Sequence, residues 1–194
     1  MNEFLFDKND IDLIKIIWSQ NPTKIWFEHT RCVFEYVSFN IELHVELAEK
    51  FLIETILISE YGNKQIEQYV MTAKFEKINS EYKPSSVAAL ISENEKIIEI
   101  SIARTMLSFV KPKQFAENKN SFQNDSFLIN PKLASEKISD KQYLVDVGIK
   151  IHTESKILNC FILENDEDFD RNEYFSDIDL NYSELYEFIN INAS

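Results

Sequence analysis

Apolar and polar residues alternate without a break from Val37 to Leu47. Val37, Phe39, Ile41, Leu43, Val45 and Leu47 fall on one side, and Ser38, Asn40, Glu42, His44 and Glu46 on the other. A period of two marks a strand with one buried face, as in an antiparallel sheet. The whole stretch 24–47 reads as strand. A hairpin follows at residues 51–78. Its centre, Tyr61-Gly62-Asn63-Lys64, carries residues that tolerate positive φ, with strands at about 50–60 and 65–78. The second of these also fits a helix face through Ile66, Tyr69, Val70 and Ala73, but its β-branched content and the turn favour strand. A second hairpin alternates through Tyr143, Val145, Val147, Ile149 and Ile151, turns at 153–156 and returns along 157–163. Gly148 inside it marks a bulge or a close backbone approach.

Other stretches follow the helical period. Ile11, Ile14 and Trp18, with Leu13 and Ile17 beside them, predict a short helix over 10–20. Asp7 and Asp10 suit its N-terminal dipole and Asn21-Pro22 stops it. Over 97–110, Ile98, Ile102, Met106 and Phe109 form one stripe that predicts the main helix, ended by Lys111-Pro112. Asn181 and Glu184 resemble a capping box opening a terminal helix over 182–190. Residues 113–139, polar and rich in Asn and Ser, read as a long loop. The expected fold class is α+β: an antiparallel sheet of two hairpins plus a long strand, one main helix packed on a face, and short terminal helices. Residues 1–163 form a single domain, and 164–194 a C-terminal segment.

Composition narrows the chemistry. The chain holds only two glycines in 194 residues, Gly62 and Gly148. Phosphate-cradling loops and nucleophile elbows need glycines close together, so nucleotide-binding loops and hydrolase elbows are disfavoured. No apolar run is long enough to span a bilayer, and the acidic start does not read as an export signal, which places the expected location in the cytoplasm. Cys32 and Cys160 stand alone in sequence and read as reduced core thiols. His29, His44 and His152 have no partners at ligand spacing. Asp166, Asp168, Asp170 and Asp177 approach a calcium-loop spacing, but Arg171 takes the position that needs glycine. No catalytic signature, metal or cofactor is expected, and the protein is expected not to be an enzyme.

The net charge of −13 is uneven: residues 164–194 hold ten acids against Arg171. Such a field repels nucleic acid and anionic lipid and attracts basic protein surfaces. Acids and aromatics interleave there, so Asp166, Glu167, Asp168, Phe169, Asp170, Glu173, Tyr174, Phe175 and Asp177 are the candidate partner-binding residues.

Residues 37–133 also resemble the SecB family of export chaperones. The strands would be 37–47, 50–60 and 65–78, the helix would carry Ile102-Ala103-Arg104-Thr105-Met106-Leu107, and Phe127-Leu128-Ile129-Asn130-Pro131 would be the later extended segment. The likeness is one of pattern order. The chain departs from the family in lacking glycine or proline near the helix start, in its extra hairpin at 143–163, and in having no cysteine-rich tail for the export motor SecA. The resemblance implies a homo-oligomer, dimer or tetramer, that holds unfolded or toxin-like clients in an apolar groove. The function expected is therefore non-catalytic protein binding, as a SecB-like chaperone or adaptor. The alternative is an acidic immunity-type or anti-defence inhibitor that blocks a basic cleft of a toxin or nuclease.

Overall fold

The computed structural model describes residues 1–28, 31–59, 62–79, 88–90, 95–112, 127–129, 134–161 and 186–191. The described part is mostly strand with one helix. In chain order the elements are β1 (Asn2–Phe4), α1 (Lys8–Gln20), β2 (Lys24–Glu28), β3 (Arg31–Glu35), β4 (Phe39–Ser59), β5 (Gly62–Asn79), β6 (Ala88–Leu90), β7 (Ile97–Pro112), β8 (Phe127–Ile129), β9 (Ala134–Thr153), β10 (Ile157–Phe161) and β11 (Glu187–Asn190).

Helix α1 forms where its sequence period and its cap agree. The Asp7 side chain accepts from the Asn9 and Asp10 amides, and the Asp10 carboxylate accepts from the Asp7 amide, closing a capping box. The helix buries Leu13, Ile14 and Ile17, while Ile11 and Trp18 flank them half-buried. Asn21, at a φ of 44°, turns the chain out of the helix ahead of Pro22.

The strands make two sheets among the described residues. One has five strands in the order β5-β4-β3-β2-β6. The other is built on the β7–β9 pair, with β1 and β10 along the outer edge of β9, and β11 and β8 along that of β7. All ladders are antiparallel except that between β1 and β9. Helix α1 packs on β5 and β7, and β5 also meets β9, so both sheets share one core. Its largest fully buried side chains include Phe34, Ile41, Leu43 and Phe75 from the five-stranded sheet and Tyr143, Ile149, Ile151 and Ile100 from the other.

Several expectations change. The main helix over 97–110 is the central strand β7, whose residues Ile100, Ser101, Ile102, Ala103, Thr105, Leu107 and Ser108 are all buried. A strand covered on both faces over most of its length buries neighbouring residues alike, so its apolar positions need not alternate. Ile98, first in the predicted stripe, is the extra residue of a bulge between Ile97 and Glu99 and is exposed. The terminal helix over 182–190 is also not formed as expected. Glu187–Asn190 is a strand lying antiparallel to Ser101–Arg104, while residues 182–185 lie outside the described residues. The predicted strands 37–47 and 50–60 are one strand from Phe39, β4, which bulges at Ala48, Ile53 and Ile58 without breaking its pairing with β5. Val37 leaves the alternation because it sits in the turn closed by the Tyr36 amide on the Phe39 carbonyl, and it is 93% exposed. β9 begins at Ala134, inside the predicted loop 113–139.

The second hairpin forms as expected. β9 and β10 pair from Ile157 against His152 to Phe161 against Gly148. Opposite β7, Val147 is the extra residue and Gly148 follows at a φ of 146°, a conformation that favours glycine.

Candidate functional site

The longest structural feature is the β4–β5 hairpin, and its geometry differs from base to tip. β4 spans 21 residues, yet β3 pairs with it only from Asn40 to His44. From Val45 to Ser59 it pairs with β5 alone among the described residues. The outer edge of this ribbon therefore presents a row of main-chain donors and acceptors that no described strand uses. Leu47, 49% exposed, lies at the start of this edge. Leu47 and Val45 continue the series whose earlier members, Ile41 and Leu43, are fully buried.

The base of the ribbon is locked. The amide of Phe75, on the other edge of β5, donates to the Asp10 carboxylate at 2.9 Å. Burial raises the Asp10 carboxyl above its usual range, opposed by the amides of Phe75 and Asp7 that favour its charged form. The nearby Lys74 ammonium lies 3.5 Å from Asp7 and is raised by the Asp10 and Asp7 charges. The Thr72 hydroxyl donates to the Asp146 carbonyl at 2.9 Å, tying β5 to β9. Asp146, 1% exposed, accepts from Arg104 Nε at 2.7 Å, from an Arg104 terminal nitrogen at 3.1 Å and from the Phe6 amide at 2.8 Å. That hydrogen bonding to Asp146 raises the Arg104 guanidinium, against the opposing effect of burial. Burial raises the Tyr143 phenol on β9, and the Glu49 carboxylate of β4 adds to the rise.

The exposed face of the five-stranded sheet carries polar pairs that hold register. Trp26 Nε1 donates to Glu35 at 2.6 Å, and Lys24 lies over the Trp26 ring. Arg31 pairs with Glu42 at 3.5 Å, with His44 Nδ1 at 3.8 Å from the same carboxylate group. A different cluster, missed from sequence, closes the β9–β10 turn. The buried Glu95 carboxylate accepts from the Thr153 and Ser155 hydroxyls, and Asn21 Nδ2 donates to the Glu95 carbonyl at 3.2 Å. Nothing in sequence linked residues more than fifty positions apart, so this cluster had no local signal.

The candidate partner-binding residues Asp166, Glu167, Asp168, Phe169, Asp170, Glu173, Tyr174, Phe175 and Asp177 all lie outside the described residues. His29 does too, and His44 and His152 stand half-buried on separate sheets. Among the described residues, no group of three or more His, Cys, Asp or Glu side chains is placed to hold a metal. Among them, no helix is long and apolar enough to cross a membrane. Comparison with protein-family models, curated proteins and solved structures finds no match.

Proposed function

We propose that the chain is a non-catalytic protein-binding protein, a chaperone-like adaptor that takes up an extended client segment along the outer edge of β4 between Val45 and Ser59. The observation that carries this reading is the length of that edge beyond His44, where no described strand pairs. An extended peptide adds to such an edge through main-chain hydrogen bonds, which are blind to most side chains and suit varied clients. The sequence of the edge holds Glu46, Glu49 and Glu54 against Lys50, and the chain carries a net −13, so the favoured client segment is basic. The SecB-like version of this role rests on the edge rather than on the resemblance, because the helix the resemblance required is strand β7.

The test uses the full chain. A chemically denatured protein is diluted with and without it while light scattering is followed, and binding of a fluorescent basic peptide is measured by anisotropy. Suppressed scattering and salt-sensitive peptide binding are expected. Leu47→Lys, which sets a like charge against the client on the edge, is expected to weaken the peptide by roughly tenfold, about 1.4 kcal/mol. Full scattering with no peptide binding overturns the reading. If Leu47→Lys binds normally and neutralising Asp166, Glu167, Asp168 and Asp170 abolishes binding, the contact belongs to the acidic segment, as in the inhibitor reading.

A further inference from the structure

The sheet built on β7 and β9 has an outer face, turned away from the shared core, whose content follows from the ladder registers. On β9, Tyr143 and Val145 are fully buried in the core, so Leu144 between them faces the other way, where it is half-buried. Opposite Leu144 on β7 is Met106, 36% exposed between the buried Thr105 and Leu107. From Ile100 to Ser108 every other β7 residue is buried except the half-buried Arg104. On the far side of Leu144 is Glu3 of β1. One row of the face thus runs Glu3, Leu144, Met106. Met1 and Leu5 alternate in step with Glu3 and are 70% and 37% exposed, which widens the apolar strip on the β1 side.

The next row on the same face runs Asp146, Arg104, Glu187. Asp146 takes two hydrogen bonds from Arg104, at 2.7 and 3.1 Å, so these two charges cancel within the sheet. Glu3 and Glu187 are both exposed and stand at opposite corners of the strip, on β1 and β11. They are separated by three strand spacings and one same-face step. At about 4.8 Å per strand and about 6.8 Å per two residues, their Cα atoms are about 16 Å apart. The result is an apolar strip with an adaptable methionine at its centre and an acid at each end.

We infer that this face docks an amphipathic helix of a partner protein, whose apolar stripe lies over Leu144 and Met106 and whose Lys or Arg residues reach Glu3 and Glu187. The edges here are already paired, β1 on β9 and β11 on β7, so the partner meets side chains rather than main chain. A helix brings its own main chain already hydrogen-bonded, and a helix laid on a sheet is a standard way to bury an apolar face. A helix rises about 1.5 Å per residue, so basic residues at i and i+11, on one side of it, match the span between the two acids. Charge complementarity selects a basic partner, and a second copy of a chain with net charge −13 would bring like charge against the same acids. The strip is separate from the β4 edge, and the inference does not rest on the proposed function.

The experiment uses the full chain and fluorescent, stapled helical peptides that share one Leu and Met stripe. One carries Lys at i and i+11, a second Lys at i and i+4, and a third Glu at i and i+11. Anisotropy is expected to show salt-sensitive binding of the first peptide and binding weaker by roughly tenfold of the second. Met106→Asp is expected to weaken the first peptide by roughly tenfold, and Leu47→Lys to leave it unchanged. The double variant Glu3→Lys, Glu187→Lys is expected to lose the first peptide and gain the third. That reversal cannot come from the acids of residues 164–194. The substituted side chains are exposed, and melting temperatures check each fold; if Met106→Asp unfolds, the charge-reversed variant carries the test. Absence of binding, equal binding of the first two peptides, or no reversal overturns the inference. A wild-type dimer in sedimentation that Met106→Asp dissolves also overturns it, since a second copy then covers the strip.

Discussion

The β4–β5 and β7–β9 hairpins are similar in length and opposite in surroundings. β9 has β1 along one half of its outer edge and β10 along the other, and β7 is flanked in the same way by β11 and β8. Among the described residues, β4 is flanked only at Asn40–His44. Among the described residues, four short strands thus flank one hairpin, whereas no strand lies beside β4 of the other beyond its base. A hairpin of two strands alone is marginal in water. The open ribbon must therefore borrow stability from its base, where Phe75, Thr72 and Asp10 fasten β5 to the helix and to β9. Both hairpins feed the shared core, but the β4–β5 ribbon does so from its base through Ile41, Leu43 and Phe75.

The strongest way to break this contrast is at the shared base. Phe75→Ala removes a 1% exposed ring that touches Phe6 and Phe34 and is expected to cost about 3–5 kcal/mol in urea unfolding. A loss near that of an exposed site would mean that the ribbon does not depend on its base. Next is Asp146→Ala, which strands the Arg104 guanidinium and the Phe6 amide, with an expected loss of about 3 kcal/mol. Replacing Arg104 as well is expected to recover part of that loss, as measured in a double-mutant cycle.

Hydrogen exchange sharpens the contrast without mutation. Amides in the β7–β9 ladder are expected to exchange only on global opening, while outward amides of β4 beyond His44 exchange much faster. Equal protection in both would show that the β4 edge is covered.

The pH dependence is smaller. The folded Asp10 carboxyl sits above its ordinary value of 3.8, so its proton-linked stabilisation is fully present below that value and is lost as pH rises through the raised one. Asp7 is lowered, chiefly by the Asp10 amide, and acts in the opposite sense: its contribution is present above 3.8 and is lost as pH falls through the lowered value. The melting temperature of Asp10→Asn relative to wild type is therefore expected to improve as pH rises from 3 to 7. A constant difference would remove Asp10 from the linkage. The smallest stability change is expected for Leu47→Lys, within about 0.5 kcal/mol by urea titration, since the edge faces solvent.

The sequence carried those parts of the fold whose signals are local. The Asp7–Asp10 cap, the stripe through Leu13, Ile14 and Ile17, and the stop at Asn21-Pro22 lie within one short stretch, and α1 forms there. Ile41 and Leu43 alternate because only one side of β4 meets the core at that point. β7 was misread because Ser101, Thr105 and Ser108 are buried along with Ile100, Ile102 and Leu107, so residue polarity does not mark an exposed side. β11 was misread because Asn181 and Glu184 imitate a capping box, while the pairing of Glu187–Asn190 with Ser101–Arg104 has no local signal. Of the candidate site, the β4 edge was invisible in sequence, since which strands lie beside β4 among the described residues is decided by pairing far along the chain.

By itself, then, the chain determined its capped helix, its hairpins, the bulge at Gly148 and its net charge of −13. Each depends on neighbours a few residues apart or on composition. The tertiary structure alone decided which hairpin is flanked by strands among the described residues, that Asp146 would hold Arg104 and Phe6 together, and that Cys32 and Cys160 would both be buried in one core. Those outcomes depend on contacts between residues tens to more than a hundred positions apart, which only packing of the two sheets brings into range.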